Sequence, residues 1–113
     1  MTDEVKFQIE GHDFTLYKTD CISGMQKKLE IGWIDVIVTS PPYNLGTTYK
    51  TYNDKIPRED YLNWLEEWAG VVRNILHDDG SLFLNIGAKP SDPTVPFEVL
   101  SRMQKHLRLQ NVI

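Results

Sequence analysis

The sequence predicts an α/β fold, a three-layer arrangement with helices flanking a mostly parallel sheet and a β-hairpin at the N-terminus. Three observations predict it. Residues 34–39 and 81–86 are short apolar runs of the kind that form buried strands of an α/β sheet. Between them, residues 58–77 carry the longest helical pattern, and a helix joining two strands makes a right-handed crossover that leaves the strands parallel. Residues 5–10 and 14–18 alternate apolar and polar around Gly11-His12-Asp13, a hairpin pattern with its turn at the glycine.

Length and charge set the outer bounds. The 113 residues make one domain at most, and 41% hydrophobic residues are enough for a core. The formal net charge of -4 leaves the chain without the basic face that a free-standing duplex binder carries. A single cysteine, Cys21, excludes an internal disulfide and a cysteine-rich zinc site. No apolar run approaches the length of a membrane span, and the charged N-terminus is unlike a signal peptide, so a cytoplasmic location is the expectation.

In chain order, His12 falls at the hairpin turn with no second ligand-type residue nearby, and reads as a solvated turn residue. Asp20 is a good N-cap for a short helix over 21–29, with Ile22, Met25 and Leu29 on one face. Cys21 reads as a small packing residue rather than a nucleophile. Gly32-Trp33 then leads into the strand at 34–39.

Ser40-Pro41-Pro42-Tyr43-Asn44 follows that strand directly. Two prolines end the hydrogen-bond ladder, because neither donates and both fix φ. The result is a rigid turn at the carboxyl end of a central strand, where open α/β sheets place their ligands. These groups suit one chemical task. An exocyclic amine of a nucleobase is a poor nucleophile because its lone pair is delocalised into the ring. Acceptors on both of its N–H bonds favour a pyramidal nitrogen and aim the lone pair; Ser40 Oγ and the Pro41 carbonyl are the candidates. Tyr43 is placed to stack on the base, which must first leave the duplex.

The loop at 45–57 is polar and aromatic, without helical or strand period, as lids and binding loops often are. Its Tyr49 and Lys50 are candidates for contact with a base or a phosphate; a solvated loop is the plain alternative. Pro57 opens the helix over 58–77, with Glu59 and Asp60 complementing its N-terminal dipole. Its stripe of Tyr61, Leu62, Leu65, Trp68, Ala69, Val72, Ile75 and Leu76 reads as core against the sheet. Asp78-Asp79-Gly80 reads as the turn that ends this helix before the strand at 81–86. Asn85 ends that strand on the same sheet edge as Ser40, as a pocket-lining residue or a simple turn residue. A further helix over 94–105 and a strand over 107–113 complete the reading, with Arg102, Lys105, His106 and Arg108 forming a solvated basic face or an edge toward nucleic acid.

Thr39-Ser40-Pro41-Pro42-Tyr43-Asn44 resembles the catalytic motif of the amino-group DNA methyltransferases, which use S-adenosylmethionine to methylate N4 of cytosine or N6 of adenine. The likeness runs from about Tyr17 onward and is most specific at Asp20, at Ser40 to Asn44 and at Gly80-Ser81-Leu82-Phe83-Leu84-Asn85. It implies a Rossmann-like methyltransferase domain, DNA as substrate and a site that needs no metal. It gives Asp20 a second role, accepting from the adenine amino group of the cofactor, and places Ser40 beside the cofactor as well as the base. Asn44 would support the turn and meet the substrate. A serine before Pro-Pro is more typical of cytosine-N4 enzymes than of adenine-N6 enzymes.

The family's glycine-rich cofactor loop and its target-recognition region are not found in these 113 residues. The expectation is therefore a single incomplete domain over 1–113, with a hairpin at 5–18 and the catalytic-motif region at 34–87, acting as a fragment or a split subunit. A C-terminal continuation or a second chain would complete it, and an exposed sheet edge would favour self-association. Two rival readings fit the same residues. One is a non-catalytic partner subunit derived from a methyltransferase. The other is amino-group methylation of RNA or of a protein glutamine, against which Ser40 argues, because asparagine is the usual residue there in the protein enzymes.

Overall fold

The computed structural model describes residues 3–42 and 56–113. Strands β1 (Glu4–Ile9) and β2 (His12–Tyr17) form an antiparallel hairpin in which Phe7 faces Phe14 and Ile9 faces His12. Its two-residue turn places Glu10 at φ 50° and Gly11 at φ 80°. Both lie in the left-handed region that matches the twist of a tight hairpin, and glycine meets the requirement without a Cβ penalty. The rings of Phe7 and Phe14 stack 5.2 Å apart across the pair, and the Gln8 side-chain amide donates to Asp13 Oδ1 at 2.6 Å.

Helix α1 (Cys21–Lys28) leads to β3 (Ile34–Thr39). Helix α2 (Arg58–Ile75) carries the chain back, and β4 (Leu76–Leu84) pairs parallel with β3. Helix α3 (Val95–Met103) packs against α2. The expected crossover is thus present. Its core lies on α2, where Tyr61, Leu65, Ala69 and Val72 are fully buried together with Val99 of α3. Each large apolar side chain so buried stabilises the fold by about 1.5–3 kcal/mol. Ile37, Leu82 and Leu84 bring one face of the parallel pair onto this cluster.

The structure corrects four details of the sequence reading. The described residues form two separate two-stranded sheets, and helices cover the Ile37–Leu82 face of the parallel pair, while Val36, Val38 and Phe83 on the alternate positions are exposed. The expected three layers are therefore seen here only as a small α/β unit. Second, β4 begins directly after α2, so 78–80 is not a helix-ending turn. A two-residue step from Ile34 to Val36 faces a five-residue step from Leu76 to Ser81, and the surplus makes a bulge inside β4. Gly80 is needed there: a Cβ would come within 2.9 Å of the carbonyl oxygens of Asp35 and His77. Third, residues 107–113 follow α3 without strand structure, and Leu109, Val112 and Ile113 are exposed. An apolar, β-branched composition does not make a strand without a neighbour to pair with.

The fourth concerns the basic C-terminal residues. Arg102 bonds Glu59, Asn63 and Glu66 on α2, and Lys105 reaches Glu66 at 3.2 Å. Arg102 is thus tied to α2, while Lys105, just beyond α3, is paired but 60% exposed and Arg108 is exposed, so the solvated reading holds for those two. The Lys105 and Arg102 side chains hold the Glu66 carboxyl below its ordinary pKa. Arg58, at the start of α2, similarly joins Asp92 and Glu98. Among the described residues, no helix is long and apolar enough to cross a membrane.

Candidate active site

β3 ends at Thr39, and Ser40-Pro41-Pro42 continues from it. The parallel register runs Val38 to Phe83 and Thr39 to Leu84, and the Asn85 N–H donates to the Thr39 carbonyl at 2.9 Å. The ladder therefore persists up to the residue before Ser40. Ser40 and Asn85 lie at the same carboxyl edge of the pair, both exposed, while Pro41 is buried and Pro42 half-buried. The prolines tuck against the protein and the hydroxyl-bearing residue stays accessible. The parallel register thus puts Asn85 on the same sheet edge as Ser40, as the parallel reading of the two strands requires.

Tyr43, Asn44, Tyr49 and Lys50, the expected base-stacking, turn-supporting and loop contacts, lie outside the described residues.

Asp20 occupies a different junction, between β2 and α1. Its Oδ2 accepts from the Ser23 N–H at 3.0 Å, and its carbonyl accepts from the Gly24 N–H at 2.8 Å. The residue is therefore the N-cap of α1. The cap engages one carboxylate oxygen of an exposed side chain. Cys21 beside it is exposed rather than packed. Partial burial of the thiol and the negative charge of Asp20 raise its pKa above the ordinary value, which keeps it a thiol at neutral pH and a poor nucleophile.

One residue at the site was assigned by its pattern to the core alone. Tyr61, in the first turn of α2, is completely buried, yet its hydroxyl donates to the Pro42 carbonyl. Its place in an apolar stripe gave no sign of this bond. The available signal was chemical: a buried phenol needs a partner for its O–H. Among the described residues no group of three or more His, Cys, Asp or Glu side chains converges as a metal site.

The family model described as DNA methylase, the N6/N4 type, matches residues 34–113, the segment from the start of β3 through the Ser-Pro-Pro turn and the crossover. The chain belongs to this family. It is 51% identical over 53 residues to the type II methyltransferase M.MjaVI of Methanocaldococcus jannaschii, covering 47% of this chain and 27% of that protein. It is 38% identical over 63 residues to M.HpaI of Haemophilus parainfluenzae, covering 56% of this chain and 20% of that protein. With M.ScaI of Streptomyces caespitosus it is 35% identical over 81 residues, 72% of this chain and 25% of the relative. The matches thus span a quarter or so of the relatives' lengths.

Proposed function

We propose that this chain supplies the base-orienting part of a DNA methyltransferase that modifies an exocyclic amino group, with cytosine N4 favoured over adenine N6. The observation that carries the reading is the Ser40-Pro41-Pro42 segment at the carboxyl end of a parallel strand pair, inside the region that matches the family. Ser40 Oγ and the Pro41 carbonyl each accept one N–H of the target amine, which turns its lone pair out of the ring. Tyr43 stacks on the extruded base. Asn44 supports the turn, and Asn85, at the adjacent strand end, lines the same edge. Tyr49 and Lys50 meet the base or the neighbouring phosphate. Ser40 supplies the preference for cytosine through the resemblance of its motif.

We assign the cofactor that this family implies to Asp20 and Ser40 on the chemistry of each residue. Asp20 has an exposed carboxylate with one oxygen engaged as a cap, an acceptor suited to an adenine amino group, and Ser40 offers a polar contact at the sheet edge. S-adenosylmethionine, when bound, supplies a methyl group on a sulfonium, an electrophile strong enough to need no covalent enzyme intermediate. These residues orient the amine rather than deprotonate it, since the proton is shed readily once the nitrogen carries the methyl group.

Because the chain spans a fraction of its relatives, we take residues 1–113 as one part of a domain that a C-terminal segment or a second chain completes. The similarity to the probable HindVI Mod subunit of Haemophilus influenzae, 32% identical over 53 residues, supports a subunit role in a larger assembly. Alone, the chain is expected to bind S-adenosylmethionine weakly and to leave DNA unmodified. The test is transfer of a labelled methyl group to duplex DNA by the completed enzyme, followed by digestion to nucleosides. N4-methylcytosine is the expected product. N6-methyladenine would reverse the base preference, and label in RNA or protein alone would overturn the DNA reading.

A further inference from the structure

We propose that Tyr61 is the positioning residue of the catalytic turn, acting through the Pro42 carbonyl; this rests on the amine-methylating reading of Ser40 and Pro41. A Pro-Pro segment cannot brace itself, because it has two carbonyls and no N–H to donate. Its donors must come from elsewhere in the fold. Two hydrogen bonds bracket Ser40-Pro41-Pro42, one to the residue before Ser40 and one to Pro42 itself. On the strand side, the Asn85 N–H holds the Thr39 carbonyl at 2.9 Å. On the far side, the Tyr61 hydroxyl holds the Pro42 carbonyl. Ser40 and Pro41, the two residues whose oxygens would receive the amine, lie between these anchors.

The phenol itself is firmly set. The Tyr61 backbone N–H closes the first turn of α2 onto the Pro57 carbonyl at 3.0 Å, and the Tyr61 side chain is fully buried in the core cluster. The crossover helix is thereby coupled to the turn that it follows in sequence, and the position of the Pro41 carbonyl depends on where α2 docks. A catalytic acceptor displaced by a fraction of an ångström loses its effect on the transition state well before substrate binding suffers.

Tyr61→Phe removes the bond and keeps the ring. Two measurements test it. The first is the ¹³C resonance of the Pro42 carbonyl in the labelled 113-residue chain, which should move upfield in the variant. The second is steady-state methyl transfer by the completed enzyme, where kcat should fall roughly tenfold to a hundredfold while KM for DNA and for S-adenosylmethionine stays within about twofold. Leu65→Val, one turn along α2, loosens the same core without touching a hydrogen bond and should leave kcat near that of the unmodified enzyme. An unchanged Pro42 resonance would refute the bond. A shifted resonance with unchanged kcat, or an equal kcat loss in Leu65→Val, would reduce Tyr61 to a core residue. If the unmodified enzyme methylates no DNA while the resonance still shifts, the methyl-transfer reading fails and the role of Tyr61 in it falls too, although the bond stands.

Discussion

The N-terminal hairpin and the β3–α2–β4 crossover are both built on two strands, but they are held by different means. In the hairpin, the positive-φ pair Glu10-Gly11 sets the register, and Val5, Phe7, Ile9, Phe14 and Leu16 all remain exposed along it. It is a structure of local chemistry. The crossover joins strands that are far apart in sequence, and their own parallel ladder and the burial of α2 against one face hold them together. The candidate catalytic turn belongs to the second kind. Its geometry is set by a strand neighbour and a buried phenol, so the part of the molecule with the most tertiary support also carries the candidate chemistry.

Substitutions in each region should separate the two. The largest effect is expected from Leu65→Ala, which opens a cavity in the fully buried centre of α2 and should cost about 2–5 kcal/mol. Chemical denaturation followed by tryptophan fluorescence should show this loss. Retention of the Phe7–Phe14 ring signal in near-ultraviolet circular dichroism would show the hairpin surviving it. Common loss of both signals would break the comparison.

Ser40→Ala comes next. It removes one acceptor for the amine and should lower kcat of the completed enzyme by roughly tenfold to a hundredfold, the kinetic equivalent of a strong hydrogen bond. DNA affinity, measured by fluorescence anisotropy, should change little. Equal losses in affinity and rate would assign Ser40 to structure.

In the hairpin, Gly11→Val places a β-branched side chain at φ 80° and should cost about 1–2 kcal/mol. Its effect should be confined to β1 and β2, with amide exchange there accelerated and the protection of α2 unchanged. Spread of the faster exchange into α2 would join the two regions.

The smallest effect concerns pH. The Glu66 carboxyl is held below its ordinary pKa by Lys105 and Arg102, so its contribution to the α2–α3 contact is complete above the unfolded-state carboxylate pKa and is lost as pH falls through the depressed folded value. Glu66→Gln should flatten that acid limb of the thermal stability profile, with little change at neutral pH. An acid limb identical in the two proteins would assign the pH dependence to other carboxylates.

How much of this was legible in the sequence depends on the range of the interactions involved. Helical period along 58–75, the hairpin glycine and the donor-free Pro41-Pro42 pair all act over a few residues, so strand, helix and turn types could be read directly, as could the parallel crossover that joins them. The family resemblance rested on the same short motif. Longer-range choices were decided by the fold. The Tyr61 bond joins residues 19 apart, and Arg102 reaches Glu66 and Glu59 across 36 and 43 residues. A buried phenol must find a partner for its O–H, but nothing local names that partner, and nothing local separates a cation that is solvated from one that clamps a helix. The bulge in β4 and the strandless 107–113 segment follow the same logic. A strand is made by its neighbour, and backbone groups pair only with what the tertiary structure brings beside them.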